Sequence, residues 1–165
     1  MRKNACCFTG HRALSAADAE VLRPALRAEI LRLAQRGVYR FYAGGARGFD
    51  MLAAETVLEM RKELPVELHL ILPCRDQAAK WPGNLRQRYD RILRAADSVV
   101  YMADTYDETC MRRRNDALIN AAAHCICYLQ RETGGTAYTV RQARRAGLEI
   151  IHLLTTAPEQ MMLED

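Results

Sequence analysis

The stretch Ala43-Gly44-Gly45-Ala46-Arg47-Gly48-Phe49-Asp50-Met51-Leu52-Ala53-Ala54-Glu55 decides how the chain is read, because three glycines stand between an apolar run and a helix-forming run. Upstream, Val38 to Ala43 is rich in aromatic and β-branched residues and reads as a strand. Downstream, Phe49 to about Glu63 reads as a helix whose scattered apolar positions predict burial on more than one side. Gly44, Gly45 and Gly48 permit backbone angles that a side chain forbids, so successive N–H groups can converge on an anion at the helix N-terminus. Glycine serves a tight strand-to-helix turn equally well. G-G-x-x-G is neither the G-x-G-x-x-G dinucleotide fingerprint nor the Walker loop with its Lys-Ser/Thr pair, so the motif alone leaves both readings open.

The same strand-turn-helix unit recurs along the chain. Ala5 to Thr9 is a short apolar strand ending in Gly10-His11-Arg12, and Ser15 with Asp18 three residues on is a helix-start signal. Pro24 interrupts the pattern and predicts a short turn followed by a helix from about Pro24 to Gln35, capped by Gly37. Glu67 to Leu72 is a third strand, closed by Pro73. The polar connection from Cys74 to Leu85 has the length of a functional lid and contains the turn Trp81-Pro82-Gly83-Asn84. An Arg-rich helix (Leu85 to Ala96), a strand (Ser98 to Met102), a helix (Cys110 to Ala123) and a strand (His124 to Leu129) follow. A second glycine turn, Thr133-Gly134-Gly135-Thr136, then opens a helix to Arg145, and Glu149 to Leu154 is a sixth strand. This alternation predicts the α/β class: three layers, with a mainly parallel sheet of about six strands between helices on both faces. A single domain over residues 1–155 is expected, with residues 156–165 as a C-terminal tail.

Composition narrows the function classes. Half of the 165 residues are hydrophobic and 27% are charged, the balance of a soluble globular domain, and no apolar run approaches the roughly 20 residues of a membrane span. A cytoplasmic location without membrane insertion is the expectation. The net charge of +4 suits an anionic ligand without demanding nucleic acid. Six cysteines contain no C-x-x-C pair, so buried reduced thiols are expected rather than a metal site. His69, mid-strand on an apolar background, reads as a packing residue rather than a ligand.

Ligands of such sheets bind outside the carboxyl ends of the strands, which puts Gly10-His11-Arg12, the first glycine loop, the Trp81 segment and Gly134-Gly135-Thr136 on one rim. Arg112, Arg113 and Arg114 open their helix against the macrodipole, a placement that favours a bound anion nearby.

In their order, Thr9-Gly10-His11-Arg12, Gly44-Gly45-Ala46-Arg47-Gly48-Phe49-Asp50, Trp81 with Asn84, Arg88-Tyr89, Arg114-Asn115 and Gly134-Gly135-Thr136 resemble the YpsA-like family of bacterial proteins in the SLOG superfamily. The likeness covers nearly the whole chain. That family is similar to the Lonely-guy phosphoribohydrolases and to the Smf/DprA DNA-processing proteins. The resemblance implies a Rossmann-like fold that binds a nucleotide or nucleotide-derived small molecule. The ligand contacts expected on this rim are Gly10, His11, Arg12, Gly44, Gly45, Ala46, Gly48, Asp50, Trp81, Arg114, Asn115, Gly134, Gly135 and Thr136. No cofactor beyond such a nucleotide-type ligand is expected.

The enzymes of that group carry an Arg in a Met-x-x-Arg-Lys motif and a Glu just after a P-G-G-x-G-T turn. Met111-Arg112-Arg113-Arg114-Asn115 matches the first, with Asn115 in place of lysine, whereas Ala137, Tyr138 and Thr139 leave the second without its carboxylate. Cleavage of a glycosidic bond passes through an oxocarbenium-like state that a carboxylate stabilises, so Asp50 and Glu55 are the candidate substitutes beside Arg114. Three functions therefore stand: sensing of a nucleotide-type ligand, phosphoribohydrolase-like cleavage of a nucleoside monophosphate, and single-stranded DNA binding. A homo-oligomer is compatible with all three.

Overall fold

β1 (Ala5–Gly10) is the apolar run Ala-Cys-Cys-Phe-Thr-Gly, and its first four residues are buried on both faces of a six-stranded sheet. A strand that is apolar on both faces belongs in the middle of a covered parallel sheet. The computed structural model describes residues 2–130 and 133–154, and there β2 (Arg40–Ala43), β3 (Glu67–Leu72), β4 (Ser98–Tyr101), β5 (His124–Tyr128) and β6 (Glu149–Leu153) join β1 in the order β4-β3-β2-β1-β5-β6. Every pair is parallel, with Cys7 opposite Tyr42 on one side and Cys125 on the other. The chain is thus a single α/β domain of Rossmann-like, three-layer form. The expected tail, residues 156–165, lies outside the described residues.

The helices follow from the strand order. Right-handed crossovers that step from β1 out to β4 lay α1 (Ala16–Gln35), α2 (Phe49–Met60) and α3 (Gly83–Ala95) on one face. The return to β5 and β6 reverses the step and lays α4 (Cys110–Ala121) and α5 (Gly135–Arg145) on the other. Two apolar cores result: Phe8, Leu26, Phe41 and Val57 sit in the first, while Cys7, Leu118, Cys125 and Cys127 sit in the second. Cys125 and Cys127 share a face as their spacing requires, and all six cysteines are buried free thiols. Burial pushes Cys74 and Cys127 up to about 12, so neither is a thiolate nucleophile at neutral pH. His69 stacks on Tyr42 and bonds Ser98 and Glu67, the satisfied packing role expected of it.

One expectation is overturned. α1 is a single helix of 20 residues with Pro24 inside it, not a turn followed by a helix. Ser15 caps its start by accepting from Asp18 N at 3.0 Å, and the buried stripe Leu22, Leu26, Ile30 and Leu33 runs unbroken past the proline. Pro24 lies on the exposed side, so the carbonyl that loses its helical donor faces water, and burial of the stripe outweighs the roughly 3 kcal/mol that an internal proline costs. α2 matches its expectation: nine of its twelve residues are buried. Among the described residues no helix is long and apolar enough to cross a membrane.

The first glycine loop is set by close packing. Gly48 has φ +76°, and a Cβ there would stand 2.3 Å from the Arg12 carbonyl oxygen, because the β1–α1 turn crosses directly over it. Phe49 N donates to His11 O at 3.1 Å and locks that crossing. Gly48→Ala is expected to lower unfolding free energy in denaturant by at least about 2 kcal/mol, through left-handed strain and the backbone clash together. Gly83→Ala, where a Cβ meets nothing within 4 Å, should lie within about 0.5 kcal/mol of the parent.

Candidate functional site

β1 and β5 are neighbours in the sheet, yet the chain leaves them in opposite directions, so their carboxyl ends cannot be covered by one connection. This is the topological switch point where open α/β sheets bind ligands. A cavity of about 550 Å³ lies there. Gly10, His11 and Arg12 after β1 form one wall, and Thr133 to Thr136 after β5 form another. Ala46 and Asp50 come from the glycine loop and α2, and Met111, Arg114 and Asn115 from α4.

Arg114 reaches across the sheet edge. It is 4% exposed, donates from Nη1 to the Gly44 carbonyl at the end of β2, and donates from Nε to Asn115 Oδ1 at 2.7 Å. Asn115 thus orients the arginine. Gly44 has no room for a side chain, since a Cβ would meet Arg114 Nη1 at 2.6 Å. Burial pulls the Arg114 pKa down and the field of Asp50 opposes that. An arginine nevertheless keeps its charge in a protein.

Asp50 is 6% exposed and lines the same cavity. Burial raises its carboxyl from 3.8 to about 6, against the lowering influence of Arg114, the Ala46 N–H and Arg12. Ala46 N donates to Asp50 Oδ2 at 3.3 Å, so the carboxylate braces the glycine loop behind it. Asp50 does not serve as the N-cap of α2: that position is Gly48, with no side-chain bond. Glu55, the other candidate carboxylate, forms a two-pronged pair with Arg88 at 2.6 and 3.2 Å between α2 and α3. Only Asp50 is brought to the crevice.

The remaining candidates divide. His11 is 9% exposed, and its Nε2 accepts from Gln130 N at 2.8 Å, a bond that only an unprotonated nitrogen can take. It ties β1 to the end of β5 as a neutral ring. Arg12 is exposed, with Nη2 4.0 Å from the Met111 sulfur. Arg113 turns away to Met102 O and Asp107, so a local carboxylate, not a ligand, answers its place at the start of α4. Gly44 and Gly45 are buried, and their carbonyls are taken by Arg114 and Gln77. Gly134 (φ +96°) is the N-cap of α5, and it has no side chain to cap the first turn.

Beside this cavity lies a second of about 410 Å³, lined on its far side by Trp81 and Tyr106. Arg12, Ala46 and Met111 line both. Trp81 was legible as a rim residue. Tyr106, Lys80 and Gln77 were not, because single residues in polar connections carry no periodic signal; it is contacts such as Arg75 N with Ala103 O and Asp104 O, and Tyr106 N with Asp76 Oδ1, that bring those two connections together.

Against known proteins, a family model described as the YspA SLOG family matches residues 6–154. A UPF0398 protein of Oceanobacillus iheyensis is 24% identical over 119 residues, covering 71% of this chain and 65% of its own length. One from Brevibacillus brevis is 34% identical over 80 residues, covering 48% and 43%. The chain therefore spans less than two thirds of both relatives. Among solved structures, DNA processing protein A from Streptococcus pneumoniae aligns with a TM-score of 0.67 at 14% identity, covering 97% of this chain and 56% of that one. The Helicobacter pylori protein, described for its single-stranded DNA binding mode, gives 0.67 at 18% identity over 97% and 71%. At such identities the likeness concerns the fold.

Asp50 binds a proton more tightly in the folded than in the unfolded chain, so its ionised form costs stability. The cost is absent below about pH 4 and complete above about pH 6, of order 3 kcal/mol at about 1.4 kcal/mol per pH unit. Asp50→Asn retains an acceptor for Ala46 N–H. It is expected to be about 1–3 kcal/mol more stable than the parent in urea at pH 7.5, with the difference vanishing at pH 4.

Proposed function

Because the chain belongs to the YspA SLOG family, we propose that the crevice between β1 and β5 binds a nucleotide or a nucleotide-derived small molecule. The observation that carries this reading is the pair of buried charges, Asp50 and Arg114, lining one cavity at the switch point. The fold is destabilised by the ionised carboxylate, and perturbed groups of that kind concentrate at functional sites. A phosphate on the first turn of α5 would meet backbone donors and the positive end of the helix dipole. Arg12 and Arg114 add charge-assisted donors, and Asp50 is an acceptor for ribose hydroxyls. His11 supports the wall as a neutral ring rather than as a cation.

Single-stranded DNA binding is stated for the Helicobacter pylori relative of this fold. Here the cavity, at about 550 Å³, has the size of a small-molecule site. Single-stranded DNA binding would weaken steeply with salt. Cleavage of a nucleoside monophosphate is favoured by one observation, that Asp50 supplies a carboxylate in the crevice where the α5 turn has none. Release of free base from nucleoside 5′-monophosphates, abolished in Asp50→Asn, would establish it, and a rate unchanged in that variant would remove Asp50 from the chemistry.

Isothermal titration of the intact protein with AMP, ADP and ADP-ribose is expected to show saturable binding, retained at 0.2 M salt on the order expected for a few phosphate contacts. Gly135 has open space around its Cβ position, and an aspartate at the start of a helix favours the macrodipole. Gly135→Asp should therefore keep the parent melting temperature or raise it, while weakening nucleotide binding at least tenfold through repulsion of the phosphate. Unchanged affinity in Gly135→Asp, or no binding of any of the three compounds, would refute the reading.

A further inference from the structure

We infer that the ligand is two-ended: two nucleotide-type halves joined through a phosphate bridge, one half in each of the adjoining cavities. This rests on the nucleotide reading of the crevice and goes beyond it. Each cavity, at about 550 and 410 Å³, falls by itself in the range of a small-molecule site of roughly 300–1,000 Å³. The residues that line both are Arg12, Ala46 and Met111, and the Arg12 and Met111 side chains, in contact at 4.0 Å, form a partition where the cavities adjoin. Both side chains are long and rotatable, so the partition can open around a linker.

The two compartments differ in chemistry as the halves of such a ligand would require. The first offers the α5 turn, Arg114 and Asp50. The second offers the aromatic side chains Trp81 and Tyr106 and, besides the shared Arg12, the cations Arg47 and Lys80, with Asp76 as an acidic member. Trp81 is held edge-on by Tyr89, ring centroids 5.1 Å apart at 74°. Tyr106 is 64% exposed although its backbone is fixed, N donating to Asp76 Oδ1 at 3.1 Å. An aromatic ring left in water on a fixed backbone, in the same cavity as an anchored indole, suits stacking of a flat base. Arg12, which lines both cavities, stands where the bridging phosphates would lie.

The test compares AMP with two dinucleotides, NAD+ and diadenosine diphosphate, by isothermal titration on the intact protein and on Trp81→Ala, Trp81→Phe and Tyr106→Ala. At least one dinucleotide is expected to bind tenfold or more tightly than AMP. Trp81→Ala and the surface variant Tyr106→Ala should each remove most of that advantage while leaving AMP affinity within twofold, and Trp81→Phe should preserve it. If AMP binds as tightly as both dinucleotides, or if the variants weaken AMP and dinucleotide equally, the two-ended ligand is overturned and the nucleotide reading stands. If AMP and both dinucleotides all fail to bind, the nucleotide reading falls and this inference with it.

Discussion

The open edge of this sheet depends on the buried guanidinium of Arg114. Taking a cation out of water costs several kcal/mol even after relaxation, and the cost is met only if every donor direction finds an acceptor. Gly44 O and Asn115 Oδ1 supply two of them, and the field of Asp50 supplies opposite charge. The first of these contacts is long-range in the fold: it runs from a helix on one face of the sheet to the loop that leads to a helix on the other. Arg114 thereby pins the glycine loop, and the glycine loop pins the β1–α1 turn through Gly48 and Phe49 N.

The balance at the edge is incomplete on the acidic side. Asp50 is more buried than its partners justify, so its carboxyl rises to about 6 despite Arg114, Ala46 N–H and Arg12. A fold assembled for stability alone would place an apolar or amide side chain there. Residues that oppose the local interest of the fold cluster at sites where a ligand completes the interaction. The location agrees, because the reversal of strand order between β1 and β5 is what leaves the crevice uncovered.

The glycines illustrate how one residue type serves different ends. Gly44 and Gly48 are required by neighbours that would collide with a side chain, the Arg114 guanidinium and the Arg12 backbone. Gly134 and Gly135 have nothing within 4 Å of a Cβ and stand at the start of α5 beside the cavity. The loop with the richer glycine pattern is thus the packing device, and the plainer turn is the one open to a ligand.

The sequence by itself determined the α/β class, the six strands, the caps at Ser15 and Gly37 and the rim on which most of the candidate residues lie, because local periodicity and capping chemistry report on short stretches of chain. It broke α1 at Pro24, where a proline signal is local but the buried stripe that overrides it is tertiary. Only the tertiary structure decided the strand order, and with it the position of the switch point. It also separated Asp50 from Glu55, two carboxylates five residues apart on α2 whose roles differ because Arg88 of α3 claims the second in a two-pronged pair, whereas the first bonds the Ala46 N–H and feels Arg114 through its field. The same holds for Tyr106 and Trp81, which share a cavity across two irregular connections. Such meetings depend on contacts between distant segments, and no period within either segment encodes them.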